Sequence, residues 1–176
     1  LDMGDMGKLA YSDTDISGGL KALDDLAPSA YEEVWDGLTG SVAAAMGNGA
    51  GFSWGSSIGG AAVSIMYSDN SGATTDRSDG SEDKTAAGAS SSSSIGIQYP
   101  VADTGLTVFG GYGVIPKYKA ADNAVTGVTG DEVSKVIGAT YAVGGATLGY
   151  QYSIEDINSA GSGTSHYANN AYGVSF

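Results

Sequence analysis

Apolar and polar residues alternate along several stretches of this chain. Between Ala146 and Ile154, the larger apolar residues Ala146, Leu148, Tyr150, Tyr152 and Ile154 alternate with the smaller or polar residues Thr147, Gly149, Gln151 and Ser153. Successive side chains of a β-strand point to opposite sides of the sheet. The pattern therefore predicts a strand with one apolar face and one small, polar face.

The same alternation predicts eight strands. The apolar positions of the other seven are Leu9 and Tyr11; Phe52 and Trp54; Ala61, Val63, Ile65 and Tyr67; Ile95, Ile97 and Tyr99; Leu106, Val108 and Tyr112; Ile137, Ala139, Tyr141 and Val143; and Tyr172, Val174 and Phe176. Because strand follows strand with no long apolar helix between them, the chain is predicted to be all-β and antiparallel.

The predicted connections alternate in length. Three are short, at 58–60, 100–104 and 143–145, and three are long and polar, at 69–86, 116–131 and 155–165. Tight turns at one end of a sheet and long loops at the other are typical of bacterial outer-membrane β-barrels. We therefore predict that residues 1–176 form one transmembrane β-barrel domain.

The composition excludes several functions and weighs against a soluble sheet. A net charge of −13 repels nucleic acid, and the absence of cysteine excludes disulfides, thiolate metal sites and cysteine nucleophiles. The polar strand faces are rich in glycine and serine, and 29 of the residues are glycine. A solvated sheet face normally carries charged residues, so a soluble β-sandwich or a secreted glycine-rich β-helix is the weaker alternative.

Catalytic signatures are missing from the sequence. His166 is the single histidine and lies beside Ser165 and Asn169, which are ordinary residues at the border of a loop and a strand. A nucleophile needs an adjacent base, and the chain has neither a phosphate-binding glycine loop nor a cluster of metal ligands. We predict that the protein is not an enzyme and that His166 is exposed at the rim.

The connection at 13–50 is too long for a plain loop. Ser17 is positioned to cap a short helix that continues to Leu26, where Pro28 follows. Leu20, Leu23 and Leu26 would share the apolar face of that helix.

The segment from Met6 to Gly37 resembles the strand and inward-folded third loop of the alphaproteobacterial general porins. The resemblance rests on Gly7 and Leu9, on the Ala22-Leu23 pair, and on the acidic pairs Asp24-Asp25 and Glu32-Glu33. It implies a barrel of about 16 strands, of which this chain covers about eight and lacks strands at both ends. It also implies that 13–50 is the constriction loop.

The resemblance further implies a homotrimer in the outer membrane of a Gram-negative bacterium, in contact with lipid and lipopolysaccharide. Its pore would be a passive, water-filled channel for small hydrophilic solutes. Acidic residues at the narrowing would favour cations, with one base opposite them. The candidate constriction residues are Asp24, Asp25, Glu32, Glu33, Asp36 and Lys8.

Two alternatives stay open. The chain could be a non-transporting surface barrel or adhesin, which would share the strand pattern. We expect no cofactor, but acidic groups could hold Ca²⁺, which takes six to eight oxygen ligands. The groups in question are Asp13 with Asp15, and Asp79 with Glu82 and Asp83, although their spacing matches no known calcium loop.

Overall fold

A computed structural model of the chain describes residues 1–23, 26–28, 42, 46–47, 49–69, 91–116, 131–159 and 163–176. The strands are β1 (Lys8–Ser12), β2 (Ala50–Ile58), β3 (Ala61–Asp69), β4 (Ser92–Val101), β5 (Leu106–Ile115), β6 (Glu132–Val143), β7 (Ala146–Ser159) and β8 (Gly163–Ser175). They form one antiparallel sheet in chain order. The prediction of an all-β chain with eight antiparallel strands is confirmed. Within the described residues, the sheet does not close on itself.

Tight turns join strands at one end of the sheet. Gly59–Gly60 connects β2 to β3 and Gly144–Gly145 connects β6 to β7, and all four glycines have positive φ. Two-residue hairpins favour glycine because their backbone lies in the left-handed region. Residues 102–105 join β4 to β5, where the Thr104 hydroxyl donates to the Val101 carbonyl at 2.8 Å. The three predicted short connections are present.

The predicted loop at 155–165 is wrong. β7 continues to Ser159 and β8 already begins at Gly163. Asp156 pairs with His166 across these two strands, and Glu155 pairs with Tyr167. The polar residues here suggested a loop, but Glu155 is buried against the inner side of the sheet and the backbone ladder continues past it.

The two faces of the sheet have opposite character. Large apolar side chains lie exposed on the face that we call the outer face: Phe52, Ile65, Tyr67, Ile97, Tyr99, Val108, Tyr112, Ile137, Tyr141, Val143, Leu148, Tyr150, Tyr172 and Val174. The strand register places small and polar residues on the opposite, inner face. The predicted alternation is therefore present, and the apolar row is not the core of a sandwich.

The buried core lies on the inner face. It forms between the sheet and the connection from β1 to β2, residues 13–49, which we call the inserted segment. The segment contributes Ile16, Leu20, Leu23, Ala27, Val42 and Met46, and the sheet contributes Met66, Phe109, Ile115 and Val136. The segment thus packs on the inner face, while the outer face has no covering layer among the described residues.

The predicted helix from Ser17 to Leu26 is replaced, in its described part, by a 3₁₀ helix at Gly19–Leu23. Gly18 and Gly19 have φ values of 138° and 56°, far from those of a regular α-helix, so the predicted α-helix cannot run through these two residues. Ser17 is exposed and forms no cap. The apolar face was predicted correctly, since Leu20 and Leu23 are buried and Leu26 is partly buried.

Candidate functional site

Glycines on the inner face leave room for the inserted segment. A Cβ atom on Gly96 would collide with the Gly19 carbonyl, and one on Gly111 would collide with the Leu20 side chain. Further glycines act in the same way, with Gly113 against Met46 and with Gly149 and Gly173 against Pro28. The segment therefore lies directly on the sheet backbone, along a groove made by these five sheet glycines.

Serines beside this groove bind the start of the 3₁₀ helix. The Gly19 amide donates to Ser64 Oγ at 2.8 Å, and the Leu20 amide donates to Ser94 Oγ at 3.0 Å. The first amides of any helix lack partners within the helix itself. Hydroxyls of β3 and β4 satisfy two of them here, which fixes the helix on the sheet.

A third serine binds the later part of the segment. The Gly47 amide donates to Ser92 Oγ at 3.2 Å, and Ser92 shares a second hydrogen bond of 3.3 Å with Ser68. The amide of Ile16 donates to the Gly47 carbonyl at 2.9 Å, which ties the two parts of the segment together. Both therefore dock on β3 and β4.

Glu155 on β7 binds the segment on the other side of the groove. Its side chain is fully buried. The Val42 amide donates to Glu155 Oε2 at 3.0 Å, and the Ser134 hydroxyl donates to Oε1 at 2.9 Å. No described lysine or arginine forms an ion pair with it. The carboxylate is held by two neutral donors, one from β6 and one from the segment.

Two further buried polar side chains follow the same face of β7. Gln151 and Ser153 are each 1% exposed. Among the described residues, neither amide atom of Gln151 has a hydrogen-bond partner, and the same holds for the Ser153 hydroxyl and for Gln98 Oε1 on β4. Buried polar atoms without protein partners are rare and are usually satisfied by ordered water.

Of the predicted constriction residues, Lys8 is the one that the structure describes. It is exposed, and the register aligns it with Gly55 and through Gly55 with Ser64. Lys8 therefore shares the inner face with the serines that bind the segment. The five acids at 24, 25, 32, 33 and 36 lie outside the described residues.

The other predicted candidates lie away from the inner face or show no metal geometry. His166 is exposed on the outer face, with Nδ1 2.6 Å from Asp156 Oδ1. Asp13 and Asp15 are exposed, and Asp15 lies 3.8 Å from the Lys21 ammonium. Among the described residues, no three histidine or acidic side chains converge on a metal position. Residues 79, 82 and 83 lie outside the described part.

The sequence pattern did not predict a role for Glu155, for Ser134 or for the serines that bind the segment. A signal for Glu155 was present, since it continues the period of two set by Gln151 and Ser153. A carboxylate at the next position of an uncharged polar face could have been read as a strand residue instead of the start of a loop.

Comparison with known proteins provides no family for the chain. No protein-family model, curated protein or solved structure matches it. None of the helices in the described residues is both long and apolar enough to cross a membrane. The two faces of the sheet and the inserted segment are therefore the basis for a functional assignment.

Proposed function

We propose that the chain forms wall strands of an outer-membrane porin, a passive, water-filled channel for small hydrophilic solutes. The observation that carries the proposal is the distribution of apolar and polar side chains over the two faces of the sheet. Its outer face exposes large apolar side chains, while small and polar groups face the inserted segment. In water, such an exposed apolar surface would be costly and prone to association. In a bilayer, hydrocarbon covers it.

The apolar part of the outer face has the length that a bilayer requires. On β7 it runs from Ala146 to Ile154, and Asp156 follows on the same face. Lys135 and His166 lie on the outer face of the neighbouring strands near the same end. A membrane β-strand needs about 9 to 11 residues. The apolar run is of this length, and ionisable residues follow it at the end away from the tight turns.

Tyrosines on the outer face lie near both ends of the sheet. Tyr67 precedes the end of β3 at the side of the long connections, whereas Tyr99 and Tyr141 lie near the tight turns. All three are exposed. Aromatic side chains form girdles at the two membrane interfaces of outer-membrane barrels. This distribution supports a sheet that crosses a bilayer.

The inserted segment would narrow the channel, because it lies on the inner wall. Glu155, Gln151 and Ser153 lie on this wall, and buried polar atoms there suit an interior that contains water. The segment also carries the acids at 24, 25, 32, 33 and 36 in its sequence. We extend the proposal to cation preference through these acids, with Lys8 as the opposing base.

A second candidate is a non-transporting surface barrel or adhesin. It is favoured by the apolar core between the segment and the sheet, which would block the interior of a small barrel. We prefer the porin because the resemblance implies about 16 strands, a size that leaves an aqueous lumen. On the resemblance alone we extend the proposal to a homotrimer in contact with outer-membrane lipid and lipopolysaccharide.

Planar bilayers test the channel. The folded protein, inserted from detergent, should give stepwise, ohmic conductance that persists at both polarities. Folded and inserted protein without conductance would overturn the porin and favour the surface barrel. Recovery of folded protein in buffer without detergent would overturn both.

Reversal potentials in a salt gradient test the ion preference. The wild-type channel should prefer cations, and Asp24→Asn with Asp25→Asn should lower that preference. Asp103→Asn is the matched control, because Asp103 is exposed at a tight turn with φ of 60°, a conformation that asparagine tolerates. Anion preference in the wild type, or equal effects of the two variants, would contradict the assignment.

A further inference from the structure

We propose that Glu155 is a positioning residue that holds the inserted segment against β7 and thereby sets the width of the channel. The inference deepens the proposed function and depends on it for the statement about width. Its structural part, the attachment of the segment through Glu155, stands on the hydrogen bonds of the described residues.

The attachment points lie on two sides of the segment. Ser64, Ser92 and Ser94 bind Gly19, Leu20 and Gly47 from β3 and β4. Glu155 binds Val42 from β7, on the other side of β5 and β6. Among the described residues, Glu155 provides the side-chain hydrogen bond to the segment on this side. If it were lost, the serines would still hold one side while the Val42 part could move away from the wall.

Glu155 binds the segment through a carboxyl group, although such a group is costly to bury. A buried carboxylate loses its hydration, and this cost is offset only by good hydrogen bonds. Glu155 receives two, and the bond from Ser134 orients the carboxylate so that Oε2 faces the Val42 amide. A carboxyl group offers two acceptor oxygens, so Glu155 binds Ser134 and the Val42 amide at the same time, whereas a serine at this position would offer one oxygen.

Gln151 provides an internal comparison. It lies on the same strand and the same face, and it is as buried as Glu155. Neither of its amide atoms has a hydrogen-bond partner in the part of the chain that the structure describes. Burial and position on β7 are therefore shared by the two residues, while the bond to the segment distinguishes Glu155. Substitution of Gln151 controls for disturbance of the β7 wall.

The decisive variants are Glu155→Met, which keeps the length of the side chain and removes both acceptors, and Glu155→Gln, which keeps one carbonyl acceptor. Amide hydrogen exchange is measured on the folded, full chain in detergent micelles. For Glu155→Met, exchange at the Val42 amide should become a few-fold to about tenfold faster, the range expected for the loss of one hydrogen bond. Exchange at the Leu20 amide, which Ser94 binds, should stay as in the wild type.

Glu155→Gln should restore most of the protection at Val42, and Gln151→Met should leave it unchanged. In planar bilayers, Glu155→Met should raise the single-channel conductance by more than Gln151→Met, which keeps the bond between Glu155 and Val42. If Glu155→Met does not fold, Ser134→Ala replaces it, because it removes one of the two donors to the carboxylate. It should then give a smaller increase of exchange at Val42.

The outcomes separate this inference from the porin proposal. Unchanged exchange at Val42 in Glu155→Met, or equal acceleration at Val42 and Leu20, would overturn the attachment whether or not the protein conducts. Lost protection at Val42 with unchanged conductance of a conducting protein would overturn the effect on width. Absence of conductance in the wild type would overturn the porin proposal and the effect on width with it, while the exchange result would still decide the attachment.

Discussion

The two faces of β7 differ in a way that is the reverse of a soluble sheet. On the outer face, Leu148 and Tyr150 are 44% and 39% exposed, whereas Gln151 and Glu155 on the inner face are at most 1% exposed. A soluble protein buries its apolar face and exposes its polar one. On β7, large apolar side chains lie on the outer face, while small and hydrogen-bonding side chains lie on the inner face. The outer face is suited to hydrocarbon and the inner face to a close backbone neighbour.

The largest expected effect concerns a charge on the outer face. Ile65 lies near the middle of β3 and is exposed, so that arginine fits there without a steric clash. If the proposed membrane position is right, Ile65→Arg should destabilise the protein in lipid vesicles by about 2 to 4 kcal/mol, the cost of arginine at the bilayer midplane of outer-membrane barrels. Urea unfolding from vesicles measures this loss.

Ala62→Arg is the matched control for the outer face. Ala62 lies on the same strand and is also exposed, but the register aligns it with Gln98 on the inner face. Its arginine would extend from the inner face, which is aqueous in the proposed channel, and should cost less than about 1 kcal/mol. Equal losses for the two variants would break the comparison between the faces, since it would mean that lipid does not distinguish them.

The next effect concerns space on the inner face. Gly111→Val should cost about 1 to 3 kcal/mol, because the added carbons collide with Leu20 and with the Ile95 carbonyl, which cannot move aside. Gly110→Val is the control on the outer face, where a Cβ would meet a single atom, the Val136 carbonyl, at 3.2 Å. It should cost less than Gly111→Val, which meets closer contacts with Leu20 and the Ile95 carbonyl.

Thermal unfolding of both glycine variants in detergent decides this second comparison. A larger loss of thermal stability for Gly111→Val would support the comparison between the faces, because this loss is expected if the inserted segment occupies the glycine groove. A larger loss for Gly110→Val would contradict the packing of the segment on the inner face.

The sequence predicted the parts of the fold that depend on local periodicity. The alternation from Ala146 to Ile154 identified both the strand and its two faces, because side chains on a strand alternate whatever the sheet packs against. The short connections at 58–60 and 143–145 were predicted from the spacing of the alternating segments, and the glycine pairs in them have the positive φ values that such turns need.

The parts that failed depend on tertiary contacts. Glycine and serine on the inner face indicated small groups, but nothing in their spacing identified the segment that they bind. Glu155 and Asp156 suggested a loop because charge is rare inside strands, whereas Glu155 binds Ser134 and the Val42 amide. Ser17 has the chemistry of a helix cap, yet the positive φ of Gly18 and Gly19 places the amides of the 3₁₀ helix against hydroxyls far away in sequence.

The smallest effect concerns one hydroxyl, and neighbouring serines on β4 isolate it. Ser94 lies on the inner face and accepts the Leu20 amide at 3.0 Å, whereas Ser93 is exposed on the outer face. Ser94→Ala should cost about 1 kcal/mol, the net value of one hydrogen bond, and Ser93→Ala should change the stability by less than that. Amide hydrogen exchange shows where the lost hydrogen bond acts. In Ser94→Ala, protection of the Leu20 amide should fall. Protection of the Val42 amide should stay, because Glu155 still binds it. Equal stability of the two variants would mean that the inner-face serines contribute through their small size alone. The claim that their hydrogen bonds stabilise the inserted segment would then be wrong.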